Sequence, residues 1–136
     1  MILAVIPARY ASTRFPGKPL ADIAGKPMIW HVYQAALKSC ADEVVVATDS
    51  EEIIHACTEL KMASVFTSES HPTGTDRVAE AAAILGGDAD IILNIQGDEP
   101  LVEPETINAA ADMLRVEAGL WEVVNLCAKI NDPAEV

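Results

Sequence analysis

A basic loop directly after the first apolar segment is the strongest candidate for a binding site in this sequence. The segment 2–6 contains only apolar residues, and the loop after it carries Arg9, Arg14 and Lys18. Guanidinium groups can hold two phosphate oxygens at once, and successive backbone N–H groups of a tight loop can bind the same anion. The loop lacks the Gly-Lys-Ser/Thr sequence of a Walker loop. It therefore predicts a phosphate site of another kind, and the alternative is a solvated basic loop stiffened by prolines.

Two adjacent acidic residues follow a later apolar segment. Asp98 and Glu99 come shortly after residues 91–95, and Gly97 precedes them. Mg²⁺ is commonly held by one or two protein carboxylates together with phosphate oxygens, and a glycine allows the backbone to approach a ligand closely. The pattern indicates a possible Mg²⁺ ligand in Asp98. Taken alone, it fits an ordinary polar turn equally well.

A further loop, residues 71–77, places a cation where a helix is predicted to begin. Arg77 falls in the first turn of that helix, where a positive charge opposes the helix dipole. We expect either a bound ligand or the neighbouring Asp76 to compensate this charge. The alternative is a capping threonine beside a surface ion pair.

Predicted strands and helices alternate along the chain, which is typical of an α/β fold with a doubly wound, mostly parallel sheet. The predicted strands are 2–6, 43–48, 63–66, 91–95 and 121–130, and the predicted helices are 27–39, 53–60, 75–83 and 104–117. Pro7 is expected to end the first strand, and Asp49 with Glu52 resembles a capping box before the second helix. Residues 1–136 are assigned to one domain. Ligands of such sheets bind beyond the carboxyl ends of the strands, where the loops described above are expected to meet.

Composition narrows the classes of partner. The formal net charge is −12, which argues against binding to nucleic acid or to anionic membranes. No apolar run is long enough to span a membrane and no signal peptide opens the chain, so a cytoplasmic location is expected. The cysteines, Cys40, Cys57 and Cys127, are scattered and predict neither a disulfide framework nor a zinc site. A basic loop on an acidic chain favours a small polyanionic ligand.

The segment Ile6-Pro7-Ala8-Arg9-Tyr10-Ala11-Ser12-Thr13-Arg14-Phe15-Pro16-Gly17-Lys18-Pro19-Leu20 resembles the signature of the 3-deoxy-manno-octulosonate cytidylyltransferases, or CMP-Kdo synthetases. Thr48-Asp49, the segment 71–77 and Gln96-Gly97-Asp98-Glu99-Pro100 recur in that family in the same order. The resemblance implies the Rossmann-like fold of nucleotide-diphospho-sugar transferases. It also implies that Ala8, Arg9 and Lys18 hold a triphosphate with help from Arg14, that Arg77 and Gln96 contact cytidine, and that Asp98 binds Mg²⁺.

The activity implied by the resemblance is transfer of CMP from CTP to the anomeric hydroxyl of the sugar acid, with release of pyrophosphate, for lipopolysaccharide biosynthesis. The resemblance also implies a homodimer in the full-length form. Members of the family extend well beyond Val136, so the chain is expected to be the amino-terminal half of a longer enzyme and to have little activity alone. The alternatives are another sugar nucleotidyltransferase using CTP or UTP, and a non-catalytic nucleotide-binding module.

Overall fold

The computed structural model describes residues 1–12, 14–85, 87–116, 119–120 and 122–126. Its strands are β1 (Ile2–Ala8), β2 (Asp22–Ile23), β3 (Lys26–Pro27), β4 (Glu43–Thr48), β5 (Ser64–Phe66) and β6 (Ile91–Asn94). Its helices are α1 (Met28–Leu37), α2 (Glu51–Glu59), α3 (Gly74–Leu85) and α4 (Pro104–Val116), with a 3₁₀ helix at Lys18–Leu20. None of the helices in these ranges has the length and apolar content of a membrane-spanning segment.

The main sheet is parallel and has the strand order β5-β4-β1-β6. From β1 the chain proceeds outward through β4 to β5, and then returns across the sheet to place β6 on the other side of β1. The order of connection therefore reverses between β1 and β6. In open α/β sheets this reversal creates a crevice at the carboxyl ends of the two strands, and ligands bind there.

Helices cover both faces of the main sheet, as the apolar strands predicted. Ile2, Ala4 and Ile6 of β1 face the larger core cluster, which contains buried residues of α1, α2 and α4. Leu3 and Val5 face the smaller cluster, where α3 packs. Because successive strand residues point to opposite faces, a continuous apolar run is what a strand buried on both sides requires. The prediction of a doubly wound, mostly parallel sheet is confirmed.

The first predicted loop contains more structure than its sequence indicated. The strand β1 continues through Pro7 to Ala8, so the prediction that Pro7 ends the strand is wrong. Beyond Val5 the strand β1 pairs only with β4, and proline is tolerated where a strand has one neighbour. The strands β2 and β3 form a short antiparallel hairpin between the basic loop and α1.

The cap of α2 is Ser50, whereas the sequence pattern had suggested Asp49. The Ser50 side chain accepts a hydrogen bond from the Ile53 backbone N–H at 3.3 Å, and its hydroxyl donates to Glu52 at 2.7 Å. Asp49 does not cap because its carboxylate accepts a hydrogen bond from Arg77.

The predicted strand 121–130 is only partly open to comparison. Residues 122–126 do not join the sheet; Val123, Val124 and Leu126 instead line a groove of about 560 Å³ beside β6 and α4. Val123 and Leu126 remain 77% and 49% exposed in this groove. Trp121 and residues 127–130 of that prediction, including Cys127, lie outside the described residues.

Candidate functional site

A cleft of about 890 Å³ opens at the carboxyl ends of β1 and β6, where the strand order reverses. It is lined by residues 7–12, 16, 18–19, 74 and 96–98, so the loops after β1 and β6 form most of its wall and the start of α3 adds the rest. This is the place where the topology predicts a ligand.

The cleft brings together most of the residues selected from the sequence. Ala8, Arg9, Lys18, Gln96 and Asp98 all line it. Arg14 is exposed and Arg77 is buried, and neither is among the lining residues.

Short-range contacts fix the shape of the basic loop. The Gly17 N–H donates to the Tyr10 carbonyl at 2.8 Å, and Gly17 has a φ of 70° that favours glycine. A Cβ at Gly17 would lie 3.1 Å from the Tyr10 ring, so a side chain there would crowd the ring as well as strain the backbone. The Ser12 hydroxyl accepts from the Phe15 N–H at 3.3 Å. These contacts close the loop and set Lys18 at the start of the 3₁₀ helix.

Lys18 and Asp98 form an ion pair across the cleft. The Lys18 Nζ lies 3.5 Å from an Asp98 carboxylate oxygen, and the side chains are 43% and 56% exposed. The pair joins the loop after β1 to the loop after β6. Arg9, by contrast, is exposed and forms no salt bridge with any residue in the described ranges. An anion entering the cleft therefore meets one unpaired cation and one cation that already has a carboxylate partner.

The loop after β6 lies directly on the end of β1. A Cβ at Gly97 would stand 3.1 Å from the Pro7 carbonyl oxygen and 3.5 Å from an Ile6 methyl group. Glycine suits this approach, because a side chain would require the loop and the strand end to move apart by a few tenths of an ångström. On either side of Gly97, the Gln96 side-chain amide donates to Asn94 at 3.0 Å, and Asp98 faces the basic loop.

The single carboxylate of the cleft fits a metal ion whose other ligands are waters and oxygens of a bound phosphate. Within the part of the chain that the structure describes, no three His, Cys, Asp or Glu side chains are grouped so as to form a metal site by themselves. Asp98 is a single, half-exposed carboxylate on the cleft wall. A site with one protein carboxylate suits Mg²⁺, which retains waters and takes phosphate oxygens as further ligands, better than it suits a structural metal.

Arg77 is paired inside the protein. Its guanidinium is 1% exposed and donates from Nη1 to the Thr67 hydroxyl at 2.5 Å and from Nη2 to Asp49 at 3.0 Å. The charge at the start of α3 is therefore compensated by Asp49, a partner that the prediction of a bound ligand or Asp76 did not include. Asp76 instead pairs with Thr73 in the cap of the helix. The sequence patterns provided no reason to select Thr67, because it follows β5 and belongs to none of the motifs that contain Arg77 or Asp49.

A second link holds the loop before α3. His71 contacts the Glu80 carboxylate through its Nε2, and the same carboxylate accepts from the Ser68 N–H at 2.8 Å. The hydrogen bond from His71, and then that from Ser68, lower the pKa of Glu80 below its usual value. His71, whose role the sequence left open, thus ties its loop to the helix.

Comparison with known proteins finds relatives that share about half of the residues of this chain. A 3-deoxy-manno-octulosonate cytidylyltransferase of Polynucleobacter necessarius is 50% identical over 135 residues, which are 98% of this chain and 53% of the relative. The enzyme of the same name from Geotalea daltonii is 55% identical over 120 residues, covering 88% and 47%. The chain thus spans about half the length of the curated relatives it matches.

A solved structure of CMP:2-keto-3-deoxy-manno-octonic acid synthetase complexed with CTP superimposes with a TM-score of 0.84 at 42% identity, covering 88% of this chain and 49% of that one. A cytidylyltransferase from Leptospira borgpetersenii, at 23% identity and a TM-score of 0.74, shares the fold. A cytidylyltransferase family model matches residues 3–136, a range that includes both cleft loops, the start of α3 and all of the strands except the first residue of β1. With almost its whole length matched by that model, the chain belongs to the cytidylyltransferase family.

Proposed function

We propose that the cleft binds CTP and that the chain acts in transfer of CMP to 3-deoxy-manno-octulosonate. The observation that carries the proposal is the meeting of Arg9, Lys18 and Asp98 at the point where the strand order reverses. Relatives that bear this activity in their names share about half of the residues of this chain. A cytoplasmic location, a part in lipopolysaccharide biosynthesis and a homodimeric assembly belong to the same proposal.

The basic loop is proposed to hold the triphosphate. Arg9 is the unpaired cation of the cleft, and its fork of N–H donors matches phosphate oxygens. Lys18 adds a point charge, and the backbone of Ala8 lies at the strand end where N–H groups can face an anion. Arg14 is exposed on the same loop and is proposed to assist at its outer side. Gln96, whose amide is on the opposite wall, is proposed to face cytidine.

Asp98 is proposed to hold Mg²⁺ together with phosphate oxygens of CTP. When bound, the ion supplies positive charge to the phosphates and favours ionisation of the attacking hydroxyl. Lys18 is then separated from its partner carboxylate and is available to the triphosphate. In this proposal, nucleotide binding replaces the Lys18–Asp98 ion pair by a contact of Lys18 with the triphosphate and a contact of Asp98 with Mg²⁺.

The proposed reaction forms one bond and breaks one. The anomeric hydroxyl oxygen of the sugar acid attacks the α-phosphorus of CTP, the bond from that phosphorus to the β-phosphate oxygen breaks, and the hydroxyl proton is released. The products are the CMP-sugar and pyrophosphate. The residues of this chain act by holding the triphosphate in line for attack and by neutralising the charge that develops on the departing oxygens.

Titration calorimetry tests the binding step directly. With Mg²⁺ present, CTP is expected to bind more tightly than UTP, ATP or GTP, and Lys18→Ala is expected to weaken CTP binding. Lys38→Ala is the matched control, because Lys38 is exposed and follows α1 away from the cleft. Equal affinity for all four nucleotides, or an equal loss in both lysine variants, would contradict the proposal. Pyrophosphate release with the sugar acid as acceptor then tests the transfer step.

A further inference from the structure

We propose that Arg77 is a positioning residue that sets the α3 wall of the cleft through Asp49 and Thr67, without touching the nucleotide. The inference rests on the proposed function, because the property it explains is CTP binding. It differs from the role that the family resemblance suggests for this residue, which is a direct contact with cytidine.

The Arg77 guanidinium is buried and largely paired. Arg77 is 1% exposed, and two of its nitrogens already donate to Thr67 and Asp49. The third, Nε, is buried and has no hydrogen-bond partner among the described residues. A group whose terminal donors are occupied inside the protein, and which does not line the cleft, is poorly placed to bind a base.

The two partners of Arg77 lie at the ends of two neighbouring strands. Asp49 follows β4 and Thr67 follows β5, so both lie at the carboxyl edge of the sheet. The Thr67 N–H also donates to the Thr48 carbonyl at 2.8 Å, which fixes the two strand ends to each other. Arg77 is a residue of α3, and its side chain connects the helix to this edge. It therefore anchors the first turn of α3 to the ends of two strands.

The first turn of α3 also forms part of the cleft wall. Gly74 begins α3, lies three residues before Arg77 in the sequence, and is part of the cleft wall. A Cβ at Gly74 would lie 3.5 Å from the Pro7 ring, so the helix start packs against the end of β1. Since one helical turn spans 3.6 residues, Gly74 and Arg77 belong to the same turn and move together. Loosening Arg77 releases this wall.

The buried position makes the link sensitive to its partners. A buried charge is stable only while it is paired and hydrogen-bonded, so removing one partner leaves the remaining groups uncompensated. Thr67→Val keeps the shape of the side chain and removes only the hydroxyl, whereas Thr67→Ser keeps the hydroxyl. Residues that act through their neighbours typically change affinity by about 2- to 30-fold. We therefore expect CTP binding to weaken roughly tenfold in Thr67→Val, and to stay at the wild-type level in Thr67→Ser.

The test combines calorimetry with NMR on the same chain. In the wild-type chain, CTP with Mg²⁺ is expected to shift the amide signals of Gly74 and Gly97 while the Arg77 Nε–H signal stays in place. The NMR comparison needs no variant, so it remains decisive if Thr67→Val fails to fold. Absence of CTP binding to the wild-type chain would refute the proposed function itself. If CTP binds, then a displaced Arg77 Nε–H signal, or unchanged affinity in folded Thr67→Val, would overturn the positioning role.

Discussion

Replacing Asp98 by Asn removes a negative charge from the cleft while keeping the size of the side chain, and its effect on CTP binding is expected to depend on the metal. Without metal, Asp98 only competes with the triphosphate for Lys18, at a distance of 3.5 Å. Both side chains are about half exposed, and ion pairs of this kind contribute about 0–1 kcal/mol. Freeing Lys18 is therefore expected to leave metal-free binding unchanged or to tighten it by up to about fivefold.

With Mg²⁺ present, the same substitution is expected to weaken CTP binding. A carboxylate that binds the ion makes a charged contact, and we take its contribution to equal that of a hydrogen bond to a charged group, about 1.5–3 kcal/mol. Their loss corresponds to roughly 10- to 150-fold weaker binding, which exceeds the gain from freeing Lys18. Asp98→Asn is thus expected to bind CTP as well as the wild-type chain, or better, in EDTA and much less well in Mg²⁺.

Calorimetric titration of CTP in EDTA and in Mg²⁺ measures both effects. Glu99→Gln is the matched control, because Glu99 is the adjacent exposed acid and does not line the cleft. It is expected to behave like the wild-type chain in both buffers. An equal loss of affinity for Asp98→Asn in the two buffers would refute both the metal role and the exchange of partners by Lys18.

Four further outcomes are expected. Arg9→Ala and Lys18→Ala should weaken CTP binding in calorimetry and leave cytidine binding unchanged; equal losses for both ligands would indicate misfolding. Because His71 holds the pKa of Glu80 below its usual value of 4.5, the stabilisation by this pair is present above that value and is lost as the pH falls through the lowered pKa. Hydrogen exchange of α3 should therefore accelerate in acid, and Glu80→Gln should remove that component. Burial raises the pKa of the Cys57 thiol to about 11, so iodoacetamide should label it at pH 8 only after urea unfolding. The same shift predicts that the free energy of unfolding falls by up to about 1.4 kcal/mol per pH unit between pH 9 and 11, and Cys57→Ser should lack this slope.

The sequence was most informative where a pattern of residues is compatible with only one structural environment. The apolar run of β1 could only be buried on both faces, and that predicted the parallel sheet and its helices on either side. The carboxyl-edge rule then placed Arg9, Lys18 and Asp98 in one cleft, although Lys18 and Asp98 are 80 residues apart.

Local patterns failed where a long-range partner decided the outcome. The residues around Asp49 matched the pattern of a helix cap. In the structure, however, the Asp49 carboxylate accepts a hydrogen bond from Arg77, 28 residues away, and Ser50 caps the helix. Thr67 has no motif to mark it, because its importance arises only when α3 packs beside the end of β5. Spacing along the chain can suggest that two residues interact, but it cannot show which of several distant partners a side chain contacts in the fold.

The contact between Gly97 and β1 bears on how such a site can be altered. The loop that carries Asp98 rests on the Pro7 carbonyl, and even a methyl group at position 97 would force a displacement of a few tenths of an ångström. The position of the loop after β6 against the end of β1 is therefore set largely by this backbone contact, in addition to the Lys18–Asp98 ion pair. Side chains lining the cleft can be exchanged to alter what the cleft binds while the backbone contact is preserved. Substitutions at Gly97 itself would change the position of this loop for every ligand at once.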